Sequence, residues 1–174
     1  MGPTLIAITI YVSLIAYALA VVCWVSGRRS EGYRNLWTVG CLFLWAHAIC
    51  AFHFHHRWSH ADAVQLTAEE TQAVIGFAYG NGIWFSYLLL VIWLFDVVQM
   101  WRRDSGADAT RSGLWNYFSY AVHAYAFFIL FNGTVVFKEG VVRWGGVICT
   151  LWIARMAWRF RKAPISVARS MRRA

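Results

Sequence analysis

Residues 5–25, LIAITIYVSLIAYALAVVCWV, carry no charged side chain. A helix needs about 20 apolar residues to cross a hydrocarbon core of about 30 Å, and this run is long enough to do so. It outlasts the core of a secretory signal and has no basic residue before it, so it is expected to be a retained span. Met1-Gly2 is followed by Ile6, where a myristoylation signal has Ser or Thr.

The rest of the chain repeats the theme. Of its 174 residues 60% are hydrophobic and 14% charged, too little polar surface to coat a soluble domain of this size. Five segments reach or approach spanning length: 4–26, 36–56, 83–101, 114–137 and 141–160. The expected fold is therefore all-α, a single polytopic membrane domain of five spans, with residues 161–174 as a basic tail. The eleven tryptophans fit the same picture, since indole settles between headgroups and hydrocarbon. The four cysteines stand singly within apolar segments, which implies neither a disulfide framework nor a thiolate zinc site.

The net charge of +8 does not form a stripe suited to nucleic acid; it collects where apolar spans end. With the N-terminus outside, the inner segments hold Arg28, Arg29, Arg34, Arg102, Arg103, Arg111 and every positive residue from Arg155 on. That is thirteen of the sixteen Lys and Arg, leaving only Arg57, Lys138 and Arg143 outside. Retention of positive charge on the cytoplasmic side favours this N-out, C-in arrangement. Between spans two and three, Thr67 and Glu70 have the spacing of a capping box, and Val64, Ala68, Thr71, Val74, Ile75 and Ala78 recur at helical intervals. An interfacial helix is expected there, broken by Gly80-Asn81-Gly82.

Three groups of residues stand out as candidates for chemistry. The first is HFHHRWSH, residues 53–60, which holds four of the six histidines. If the second helix continues through position 60, His53, His56 and His60 share an arc of about 60°. With Glu70 as a fourth donor they make a candidate outer site for Zn, Cu or Fe. The competing reading is an amphipathic edge in which each ring meets water or headgroups.

The second group is His47 and His123, each within an apolar span. Ionisable side chains in hydrocarbon are costly and have a partner or a task. Counted from the inner span ends they lie about 18 and 15 Å deep, so they are candidate axial ligands of a b-type haem or another tetrapyrrole. His123 also shares a polar stripe with Asn116, Ser119 and Tyr120, a face expected to meet protein. The bland alternative is hydrogen bonding to a hydroxyl or carbonyl of the next helix. The third pair is Asp96 and Arg155, both about a turn inside the inner boundary, which suit a structural ion pair, with proton transfer through Asp96 as the lesser alternative.

These readings lead to three expectations of function: a haem- or metal-binding component that carries electrons within a larger membrane complex, a non-catalytic subunit of such a complex, or a metal-dependent membrane enzyme. The expected setting is a bacterial inner membrane or another energy-transducing membrane, with lipid and other membrane subunits as partners and no role for nucleic acid. No G-x-S-x-G, H-E-x-x-H, phosphate loop or dinucleotide fingerprint occurs in the chain.

Overall fold

The computed structural model describes residues 1–26, 31–104 and 112–162. Among them there is helix and no strand. In chain order the elements are α1 (Gly2–Val25), α2 (Glu31–Phe54), α3 (His60–Ile75), a 3-10 turn (Gly80–Gly82), α4 (Ile83–Asp104), α5 (Ser112–Phe131), a π-helical turn (Asn132–Val136) and α6 (Gly140–Lys162). Four helices, α1, α2, α4 and α5, are long and apolar enough to cross a membrane. The fifth expected span forms as α6, with Arg143 and Arg155 inside its length, and is not among those four. Arg28, Arg29, Arg111 and the tail from residue 163 lie outside the described residues.

The four long helices alternate in direction. Along α1 and α2, Gly2 faces Phe54, the Ser13 hydroxyl donates to the Gly40 carbonyl at 2.8 Å, and Tyr17 lies against Trp37. Small residues allow this approach, because Ala16, Ala20 and Gly40 put almost nothing between the two backbones. A Cβ on Gly40 would sit 3.0 Å from the Trp93 ring. Trp45 Nε1 donates to the Leu90 carbonyl at 3.2 Å and sets α4 antiparallel to α2. Tyr125 donates to the Phe85 carbonyl at 3.0 Å and does the same for α5 against α4. The core is built on Trp37, Trp93, Leu89, Val122 and Cys41, all essentially fully buried.

Large apolar side chains also face outward, among them Ile15, Leu42, Val91 and Leu151, each more than half exposed. In water these rows would be an extended apolar surface; in lipid they are the contact with acyl chains.

Two boundaries differ from the sequence expectation. The helix between spans two and three begins at His60, not at Thr67, because Ser59 is its cap: its side chain accepts the Asp62 backbone N–H at 3.1 Å. Thr67 is internal and donates back to the Ala63 carbonyl. The helix ends at Gly76, which takes the left-handed conformation (φ 86°) open to glycine. Second, α2 does not continue through position 60. It stops at Phe54, and the backbone turns through Arg57 (φ 49°) and Trp58 (φ 61°), with Trp58 N–H closing onto the Phe52 carbonyl at 2.9 Å. Left-handed geometry costs a non-glycine residue about 1 to 2 kcal/mol, so this turn is held by its surroundings.

Candidate functional site

The end of α2 disperses the outer histidines. His53 stays on α2, where its Nδ1 accepts from Trp58 Nε1 at 3.4 Å. His55 and His56 lie in the turn with ring centroids 5.1 Å apart, and His56 packs on Phe52. His60 opens α3 and its Nδ1 meets the Tyr87 hydroxyl at 3.1 Å, with Trp84 beside it. Glu70 pairs with Lys138 at 3.3 Å, both half exposed. The shared face expected for His53, His56 and His60 depended on a continuous helix, and the left-handed turn removes it. Among the described residues no group of three or more His, Cys, Asp or Glu is placed to hold a metal ion. His56 is held below the ordinary imidazole value, first by burial and then by His55, with Asp62 and Glu70 opposing.

The structure also keeps His47 and His123 apart. His47 Nδ1 donates to the Ile6 carbonyl on α1 at 3.0 Å. His123 lies at the level of Trp37, ten positions earlier on α2 than His47 and so about 15 Å away along that helix. Similar depth was inferred from each helix's own inner end, but α5 is shifted along α2. His123 is eleven residues into α5, while Trp37 is six residues into α2. Two axial ligands of one iron must face each other across it, and these rings do not.

A different constellation forms around His123. Its ring lies parallel to Trp37, with centroids 3.9 Å apart and planes 7° apart, and is flanked by Trp24 at 4.5 Å. Its Nδ1 donates to the Ser119 carbonyl at 2.8 Å. That bond fixes the neutral tautomer, so Nε2 is the acceptor for the Tyr33 hydroxyl at 3.2 Å. The Tyr17 hydroxyl reaches the His123 carbonyl at 3.4 Å. His123 itself is 4% exposed.

Trp37 links this ring to a buried acid. Its indole Nε1 donates to Asp96 Oδ2 at 2.9 Å, and the Ser119 hydroxyl donates to the same oxygen at 3.2 Å. Asp96 is 5% exposed. Arg155 is exposed on α6, and among the described residues no ion pair joins it to Asp96. The carboxyl therefore has two neutral donors where a cation was expected, and both address one oxygen. Ser119 holds both groups, giving its hydroxyl to Asp96 and its carbonyl to His123.

Ser119 and His123 belong to the stripe legible on α5. Trp37, Tyr33, Trp24 and Tyr17 were not singled out from sequence, because aromatic residues are frequent throughout the chain. The available signal was spacing: Tyr33 and Trp37 are four apart on one face of α2, within a helix also carrying Gly40 for close packing. The chain matches no protein-family model, no curated protein and no solved structure.

Proposed function

We propose that this chain is an integral membrane protein that takes up and passes protons within the membrane through Asp96 and His123, as part of a larger assembly in an energy-transducing membrane. The observation that carries the reading is the single indole of Trp37, which hydrogen-bonds the buried acid and stacks on the buried imidazole. Ionisable residues are costly within a membrane, and where they occur they pair with a partner or mark an ion or proton pathway.

Both protonation states of His123 have a place. In the neutral ring Nε2 accepts from Tyr33; in the protonated ring Nε2 donates to the Tyr33 oxygen, and the flanking indole faces stabilise the cation. Asp96 has Oδ1 free of both donors, an oxygen at which a proton can be gained or lost. Tyr33, whose hydroxyl meets His123, stands within the first turn of α2 and so near that end of the bundle. On the proposed topology, five spans with the N-terminus outside and α6 as the fifth, this is the cytoplasmic end. What supports α6 as a span is its course beside α1, with Val142 to Ile153 level with Tyr11 to Leu19.

Proteoliposomes under a valinomycin-clamped potential test the proposal. Vesicles containing the chain should acidify faster than empty ones, and Asp96→Asn and His123→Phe should return the rate to that of empty vesicles. Equal rates for wild type and both variants would overturn it.

A structural role is the second reading, and one observation favours it: Asp96 and His123 are bonded to polypeptide and tie α1, α2, α4 and α5 together. Under that reading the same variants lose stability without changing proton flux. Haem or metal binding with electron transfer is a further proposal. It requires His47 or His123 to exchange an existing hydrogen bond for iron, and a Soret band that weakens in His123→Ala would support it.

A further inference from the structure

A cavity of about 530 Å³ lies between α1, α5 and α6. Its walls run from Tyr11 to Leu19 on α1, from Phe127 to Thr134 across α5 and the π-helical turn, and from Val142 to Ile153 on α6. The helical rise from Tyr11 to Leu19 on α1 and from Val142 to Ile153 on α6 makes it about 12 to 17 Å long, parallel to the helices. On α1 the rim residues Tyr11, Ile15 and Leu19 are exposed, so the space opens sideways toward lipid. We infer that this cavity holds one acyl chain of an anionic phospholipid.

The lining chemistry selects a chain over a head. Apart from Tyr11 at the rim, the lining hydroxyls donate to protein: Tyr17 to the His123 carbonyl, Thr134 to Leu130, and Thr150 to Gly146. A quinone ring or a sugar would find its polar atoms unmatched there, whereas hydrocarbon needs none. Around the cavity, at the depth of mid-α1, the surroundings offer hydrocarbon chains and little else.

The charge is read at the Val142 end. Arg143, the next residue, gives Nε to the Lys138 carbonyl at 2.8 Å and leaves its terminal guanidinium nitrogens for an acceptor. Lys138 stands beside it, sharing its charge with Glu70. Lys138 is answered by Glu70 and followed by Glu139, so Arg143, one residue beyond the lining, is the cation left for a phosphate whose chain lies inside. The π-helical turn is part of the same wall, and such turns recur where helices bind ligands. Tyr17 stands between this cavity and the Asp96 and His123 cluster, but the lipid site does not depend on proton transfer.

Gly145 provides the test, because it lines the cavity and a Cβ built on it meets nothing within 4 Å. A leucine there enters the space, with its Cβ clear of every neighbour. The full chain, purified in mild detergent and mixed with phosphatidylglycerol, should retain one phospholipid per chain in native mass spectrometry. Gly145→Leu should lose it with an unchanged far-UV circular dichroism spectrum, and Gly145→Ala should lose it in part. Arg143→Gln should reduce the preference for phosphatidylglycerol over phosphatidylcholine severalfold. No retained lipid on the wild type, equal retention by Gly145→Leu, a phosphate-free isoprenoid in its place, or a dimer abolished by Gly145→Leu would each overturn the inference. Proton flux unaffected by Gly145→Leu, with the lipid lost, separates this site from the proton cluster.

Discussion

Replacing Trp37 by phenylalanine removes one donor from Asp96 and keeps an aromatic face over His123. The Nε1 to Oδ2 distance of 2.9 Å is that of a sound hydrogen bond, made where no water competes. A hydrogen bond to a charged or buried carboxyl contributes about 1.5 to 3 kcal/mol, and the smaller ring leaves a void costing about 1 kcal/mol more. Trp37→Phe should therefore destabilise the protein by about 2 to 4 kcal/mol. Trp45→Phe is the matched control, since its Nε1 bonds a neutral carbonyl at 3.2 Å. Losing that bond should cost about 1 kcal/mol, and the void left by the smaller ring up to about 1 kcal/mol more. The assay is reversible unfolding in mixed micelles, followed by far-UV circular dichroism, on single and double variants with Asp96→Asn. Trp37→Phe and Asp96→Asn should couple by about 1 to 2 kcal/mol, and Trp45→Phe should add to Asp96→Asn within about 0.5 kcal/mol. Additivity of the Trp37 pair would refute the claim that the indole and the acid act as one unit.

Two further outcomes follow from the packing and the outer turn. Gly40→Val drives a Cβ to 3.0 Å from the buried, rigid Trp93 ring and should cost about 1 to 3 kcal/mol in the same unfolding assay, whereas Gly133→Ala meets nothing within 4 Å and should be tolerated. His56 should titrate below the ordinary 6.5 in a histidine-resolved NMR series, and Glu70→Gln or Asp62→Asn should lower it further. Because its folded value is depressed, the unfolded chain binds more protons below that pH. Stability from this group is present above 6.5 and lost as pH falls through the window beneath it.

The sequence reading succeeded where the physics is one-dimensional. An uncharged run such as 5–25 must be satisfied within its own helix in lipid, so the four helices long and apolar enough to cross were legible; of the polar face expected on α5, Ser119 and His123 meet protein while Asn116 and Tyr120 are exposed. It failed where geometry depends on how helices slide and stop. His47 and His123 seemed level because each helix was measured from its own end, and no single helix reveals the shift of α5 along α2. The histidine face near position 56 assumed a helix that the left-handed pair Arg57 and Trp58 ends, and neither residue signals that conformation in sequence. For Asp96 the sequence points to a cation, because charge is visible in a sequence. Its actual donors, an indole N–H and a serine hydroxyl, come together only once α2, α4 and α5 are packed.

The central claim is that Asp96 and His123 each gain and lose a proton inside the bundle. Infrared difference spectra of the reconstituted chain, recorded across a pH series, test it most directly. The account predicts a carboxylic acid band that titrates in the wild type and vanishes in Asp96→Asn, accompanied by imidazole bands that vanish in His123→Phe. Spectra in which neither variant removes a titrating band would contradict it and leave the cluster a structural clamp.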